Sequence, residues 1–125
     1  MTTVQEPSHQ NDPPSENPIN WEFLHQLSDG DTEFQMELLD VFVTDTQSNL
    51  DLIKTAIAAQ DCRGVEQSAH RIKGASGSLG ITAMQSVAAT LEDQARDQQL
   101  TDAIELLSRL EWLLQTVEAA GSLAS

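Results

Sequence analysis

The stretch AHRIKGASGSLG, from Ala69 to Gly80, combines apolar residues at helical spacing with three glycines. Ala69, Ile72, Ser76 and Leu79 recur at steps of three and four residues, which is typical of a helix that buries one face. Glycine readily adopts the left-handed backbone conformation that commonly closes a helix, so Gly80 is the predicted end. The stretch therefore predicts a helix followed by a tight turn.

Two glycines lie inside this predicted helix, where each costs roughly 1 kcal/mol relative to alanine. On a helix, positions 70, 73, 74 and 77 share one side, away from the apolar stripe. His70 is therefore predicted to face water beside bare backbone at Gly74 and Gly77. Missing side chains there would let a partner protein approach closely, and Lys73, one turn from His70, could neutralise phosphate oxygens. The helix is thus a candidate docking surface that carries a nucleophile.

Outward from this helix, the chain contains no proline after residue 18 and no strand-like alternation, which predicts an all-helical domain. A short first helix should begin at the N-cap Asn20 and stop at residues 28–30, with Trp21, Leu24 and Leu27 on one side. A second should begin near Asp31 and run to about Ala59, and Asp61 should cap the third.

The fourth helix opens on the capping-box pattern from Thr82 to Gln85, and the fifth is predicted to start at the cap Thr101 and to end at Gly121. Short connections favour an antiparallel up-down-up-down four-helix bundle with the first helix as a short addition. The predicted core positions of the four long helices are Leu39, Phe42, Thr46, Leu50, Ile53 and Ile57; Val65, Ala69, Ile72, Ser76 and Leu79; Met84, Val87, Ala88, Leu91 and Ala95; and Ala103, Leu107, Leu110, Leu114 and Val117.

At 125 residues the chain fits one domain. Residues 1–18 hold all four prolines among polar residues, which predicts a disordered tail, followed by the bundle domain over 19–121 and a short tail over 122–125. Cys62 is the single cysteine, so an intrachain disulfide is impossible and a thiol zinc cluster is implausible. His9 lies in the predicted tail and His25 in the predicted first helix, so neither is expected to share a metal ion with His70.

The sequence contains no apolar run of about twenty residues and no export signal, which predicts a soluble cytoplasmic protein that does not enter a membrane. Twenty acidic residues against six basic ones give a formal charge of -14. Such a charge repels nucleic acid and favours protein partners that are selected partly by electrostatics.

The motif resembles that of the histidine-containing phosphotransfer (HPt) domains, H-x-[apolar]-K-G-x-[small]-x-x-x-G. It is matched here by His70, Ile72, Lys73, Gly74, Ser76 and Gly80. The likeness extends from about residue 20 to about residue 120. It implies that His70 is phosphorylated, and that the antiparallel fourth helix supplies polar neighbours about 22 and 26 residues further along.

Those neighbours are Glu92 and Arg96. If the hairpin turns near Gly80, residue 70 lies opposite 91 and 92, and 66 lies opposite 96. The resemblance implies that Glu92 hydrogen-bonds the imidazole and that Arg96 reaches phosphate. An ion pair of Arg96 with Glu66 or another nearby carboxylate would explain Arg96 equally well, and the role of Glu92 is open in the same way. A carboxylate at 92 would orient the imidazole but repel an incoming phosphoryl group, and Lys73 and Arg96 would have to offset that repulsion.

The resemblance implies a monomeric phosphocarrier. His70 would accept a phosphoryl group from a receiver-domain aspartate and pass it to another receiver, of a hybrid sensor kinase or a response regulator. Glu66, Gln67, Gly74 and Gly77 would form the docking surface. The chain would need no metal, ATP or other cofactor, because the receiver supplies the divalent metal.

Two other functions stay open. One is a helical adaptor that binds a receiver or another partner without phosphorylation. The other is an autophosphorylating kinase, which is disfavoured because no ATP-binding domain fits and the H-E-x-x-T-P type of motif is missing. Beginning at Met1 with its own tail, the chain looks like a separate protein, but a piece of a larger hybrid kinase would look the same.

Overall fold

The structure is a computed structural model that describes residues 18–124, and the side chains up to residue 121. The predicted tail therefore lies outside the described residues, except for Pro18. Within the described part the chain forms helices and no strand, so the all-α prediction is confirmed. The helices are α1 (Trp21–Leu27), α2 (Thr32–Ala58), α3 (Cys62–Ser78), α4 (Thr82–Arg96) and α5 (Ala103–Ala124).

The four long helices form the bundle. Each packs against the next along the chain, and α5 returns to pack against α2. Because the connections are short, successive helices run antiparallel. No described helix is long and apolar enough to span a bilayer.

The apolar stripes face inward as predicted, with four exceptions. In α1, Leu27 is 45% exposed and Trp21 is half-buried. Ile57 and Val87 are also half-buried, because Ala56 and Ala88 beside them take the inward positions. The fully enclosed large side chains of the core include Leu50, Ile53, Ile72, Met84, Leu91 and Leu110.

The predicted N-caps Asn20 and Asp61 are confirmed, and Asp31, near which the second helix was predicted to begin, is the N-cap of α2. The side-chain oxygens of Asn20 and Asp31 each accept a hydrogen bond from the backbone N–H three residues on, both at 3.1 Å. Asp61 does the same for Gly64 at 3.0 Å. Each cap satisfies a backbone donor that the first helical turn leaves unpaired, which fixes where α1, α2 and α3 begin.

The predicted capping box at the start of α4 was wrong. Thr82 is already helical, and the N-cap position falls on Ile81, whose side chain makes no capping bond. The reason lies in the turn before it. The N–H of Ile81 bonds the carbonyl of Ser76 at 2.9 Å across the left-handed Gly80, so a helix-closing Schellman turn leads directly into α4.

The predictions for both ends of α5 were also wrong. Thr101 lies in a turn closed by the bond from Ala103 N–H to the Leu100 carbonyl, so the helix starts after Asp102 instead. At the other end the helix continues through Gly121 to Ala124. Gly121 does not take the left-handed conformation that would have ended it.

Gly80 joins the α3–α4 turn to α1. Its φ is +73°, and a Cβ placed on it would lie 2.6 Å from Cδ2 of Phe23. The ring of Phe23 therefore packs over this turn, while Leu24 is buried in the core. These contacts place α1 at one end of the bundle.

We expect Gly80→Ala to lower the free energy of unfolding by about 1–2 kcal/mol, because alanine is strained at this φ and its Cβ would collide with Phe23. Urea denaturation followed by circular dichroism measures the change. Gly74→Ala is the matched control, since a Cβ at that helical position meets nothing within 4 Å. If both variants were equally stable, the role assigned to Gly80 would be incorrect.

Candidate functional site

His70 stands on the outer face of α3, one helical turn before Gly74. Its side chain is 65% exposed, as the position of the apolar stripe predicted. The neighbours on the opposite side of α3, Ala69 and Ile72, are fully buried. The core therefore holds the helix rigidly while the imidazole faces outward.

The turn at Gly80 brings α4 back along α3 in the predicted register. Glu92 lies opposite His70, and its Oε2 is 2.8 Å from Nδ1 of the imidazole. An ionised carboxylate can only accept a hydrogen bond, so Nδ1 carries the proton and donates it. In the neutral ring this leaves Nε2 as the nitrogen with a free lone pair.

Glu92 is a buried carboxylate, 3% exposed, held by three partners. Besides His70 it contacts Nζ of Lys73 at 2.7 Å and a guanidinium nitrogen of Arg96 at 3.0 Å. Burial by itself would raise the pKa of Glu92, but the interactions with Lys73 and His70 outweigh it and lower that pKa below its ordinary value. The carboxylate is therefore ionised at neutral pH.

Arg96 also forms the ion pair with Glu66 that the sequence left open. Its Nε is 3.1 Å from Glu66, and another guanidinium nitrogen is 3.1 Å from Asp93. The hydrogen bond with Glu66 raises the pKa of Arg96 above its ordinary value. The guanidinium thus bridges α3 and α4 beside the imidazole, within the same network as Glu92.

The four predicted docking residues differ in how open they are. Gly74 is exposed, with nothing near a Cβ position, and Gln67 is exposed beside His70. Glu66 is tied to Arg96. A Cβ on Gly77 would instead lie 2.6 Å from the amide nitrogen of Gln85, so the space at Gly77 is filled by a side chain from α4.

Three residues around His70 were not predicted from the sequence. Arg63, Arg71 and Gln98 line a shallow depression together with His70, Gln67 and the two paired glutamates. Arg63 precedes His70 by two helical turns, so its place on the same face was predictable from helical periodicity. Within residues 18–124, no three His, Cys, Asp or Glu side chains cluster as a metal site requires.

The fold and this geometry agree with the comparison to known proteins. A family model described as the Hpt domain matches residues 37–120. The chain belongs to the Hpt domain family. This confirms the resemblance carried by the motif around His70, and the match spans most of α2 through α5.

This Hpt domain is similar to a curated phosphorelay protein and to a solved structure. It is 29% identical over 82 residues to the phosphorelay intermediate protein rdeA of Dictyostelium discoideum, covering 66% of this chain and 32% of that protein. The chain thus corresponds to about a third of that relative's length. The crystal structure of histidine-containing phosphotransfer protein B (HptB) from Pseudomonas aeruginosa PAO1 matches with a TM-score of 0.79 at 25% identity, covering 85% of this chain and 92% of HptB.

Proposed function

We propose that this Hpt domain is a phosphocarrier. His70 accepts a phosphoryl group from an aspartyl phosphate on one receiver domain and passes it to an aspartate of another. The observation that carries the proposal is the exposed imidazole whose Nδ1 is held by Glu92, which leaves Nε2 free to react. The membership in the Hpt family and the likeness to a phosphorelay intermediate support it.

The transfer is an in-line displacement at phosphorus. The lone pair of Nε2 attacks the phosphorus atom, and the bond to the receiver's aspartyl oxygen breaks with its electron pair leaving on the aspartate. The new N–P bond leaves positive charge on the ring, because Nδ1 keeps its proton. The carboxylate of Glu92, 2.8 Å away, stabilises that charge. The reverse attack by another aspartate regenerates neutral His70.

Lys73 and Arg96 meet the phosphoryl oxygens. In the unphosphorylated protein both pair with Glu92. Their side chains are 34% and 52% exposed, so each can turn a nitrogen toward an anion bound at the imidazole. The two cations thereby offset the repulsion between Glu92 and an incoming phosphoryl group.

Gly74 gives the receiver room to approach. It is exposed, one turn from His70, and a Cβ there would contact nothing in the chain. The fold therefore has no steric need for glycine at this position, although glycine costs helix stability. A close approach of the partner's backbone explains the residue.

We expect Gly74→Ala to raise the free energy of unfolding by about 0.5–1 kcal/mol. The same variant should slow transfer from a phosphorylated receiver about tenfold, which corresponds to about 1.4 kcal/mol of lost contact. Phosphoryl-transfer reactions quenched at successive times measure the rate of transfer from the receiver to the chain. Phosphoramidate, a small phosphoryl donor that needs no docking surface, should label the variant like the wild type. Unchanged transfer from the receiver would contradict the role of Gly74.

The test of the proposed function is incubation of the chain with receiver domains of the same organism, each phosphorylated with acetyl phosphate. We expect the chain to acquire a labelled phosphoryl group that is lost in acid and kept in alkali, as in phosphohistidine. A receiver that binds the chain without transferring label would favour the adaptor function. Acid-stable label would contradict the phosphocarrier.

A further inference from the structure

The basic residues of this acidic protein are concentrated around His70. Six basic residues face twenty acidic ones over the whole chain. Four of the six, Arg63, Arg71, Lys73 and Arg96, lie on α3 and at the end of α4. The face that carries the imidazole therefore differs in charge from the rest of the molecule.

Within residues 18–124, two of these four cations form ion pairs with carboxylates. Lys73 and Arg96 pair with three carboxylates, those of Glu66, Glu92 and Asp93. These carboxylates outnumber the two cations, so on their own this network is negative. When Arg63 and Arg71 are included, the net charge of this group of side chains is positive.

Arg63 and Arg71 are exposed, and within residues 18–124 neither side chain forms an ion pair or a hydrogen bond. Both line the depression beside His70, whose only lining carboxylates are already paired. In a protein with a charge of -14, these two guanidinium groups on the face of the reactive ring are available to carboxylates of a partner protein.

We infer that Arg63 and Arg71 form the electrostatic docking contact for the receiver, binding carboxylates on the rim of its aspartyl-phosphate site. This inference rests on the proposed function. It assigns the contact to the side of His70 that faces the start of α3, whereas Gly74 provides the close approach on the other side. Guanidinium groups suit this role because two of their coplanar N–H donors can bind both oxygens of one carboxylate.

Charge magnitudes support a local contact. The aspartyl phosphate and its surrounding carboxylates are anionic, so the overall charge of this chain repels them at long range. Salt screens charges beyond about 8–10 Å, which leaves the nearest groups to decide the encounter. Arg63 lies about 10 Å along the helix from His70, and Arg71 is adjacent to it. Arg71 is therefore well within the screening length of His70, and Arg63 lies at its limit.

The experiment compares two double variants of equal net charge. Arg63→Gln/Arg71→Gln removes the proposed contact, and Lys54→Gln/Arg109→Gln removes two exposed cations outside the site. The probe is the receiver domain that labels the wild type fastest, phosphorylated with acetyl phosphate, at several salt concentrations. We expect the first variant to react about tenfold slower at low salt, with a weaker salt dependence, and the second to match the wild type.

Equal rates for the two double variants would overturn the inference, since total charge would then explain the effect. Phosphoramidate supplies the second readout. Its labelling of Arg63→Gln/Arg71→Gln should fall far less than transfer from the receiver. If labelling by phosphoramidate fell as much as transfer from the receiver, the arginines would act on the phosphoryl group itself, and the docking role would be overturned. If no receiver labelled the wild type, the phosphocarrier function itself would fail, which is a different result from normal labelling of the arginine variant.

Discussion

Replacing His70 with Gln is expected to abolish labelling by every phosphorylated receiver. Glutamine keeps a polar side chain at this position but has no nucleophilic ring nitrogen. Because the imidazole is 65% exposed, the free energy of unfolding should change by no more than about 0.5 kcal/mol. Acid-labile label on the chain, measured beside a urea denaturation curve, separates loss of chemistry from loss of fold.

The control for this variant is His25→Gln, which removes a histidine from α1 and should transfer normally. Acid-labile label that persists in His70→Gln would assign the phosphoryl group to another residue. Such a result would contradict the proposed chemistry, whatever the stability of the variant.

Glu92→Ala should have the next largest effect. It removes the acceptor for Nδ1–H of His70 and leaves Lys73 without its ion-pair partner. The free energy of unfolding should fall by about 1–2 kcal/mol, less than for a wholly buried ion pair because the partners are partly exposed. Transfer should slow by about tenfold or more, since the ring loses both its fixed tautomer and the charge that stabilises its phosphorylated form.

Glu92→Gln is the matched control, because the amide oxygen can still accept from Nδ1–H but carries no charge. Transfer by this variant should lie between the wild type and Glu92→Ala. Transfer by Glu92→Ala at the wild-type rate would show that the carboxylate plays no part in the reaction.

The same pair of proteins gives a pH test. The interactions with Lys73 and His70 hold the pKa of Glu92 lower in the folded chain than its ordinary value in the unfolded chain. The carboxylate therefore stabilises the fold above that value, and this contribution is lost as the pH falls through the folded pKa. The difference in unfolding free energy between the wild type and Glu92→Gln should shrink toward acid pH. A difference independent of pH would contradict the ion pairs of Glu92.

The sequence predicted the elements whose signals are local. Asn20, Asp31 and Asp61 are caps because each acts on an N–H only three residues away. The failures at Thr82 and Thr101 have a different cause. There the turn that precedes the helix decides which residue takes the cap position, and that turn depends on how two helices pack.

The site was predictable where helix geometry alone places a residue. Exposure of His70 and its register with Glu92 follow from helical periodicity and from the turn at Gly80. The contact of Lys73 with Glu92 and the filling of space at Gly77 by Gln85 depend on side-chain conformations, which no sequence pattern specifies.

Nuclear magnetic resonance of the phosphorylated chain tests most directly which atom carries the phosphoryl group. With ¹⁵N-labelled histidine, correlation of ring protons with ring nitrogens distinguishes the two possible products. We expect phosphate on Nε2 of His70, with Nδ1 still protonated and bonded to Glu92. Phosphate on Nδ1, or on any other residue, would contradict that expectation.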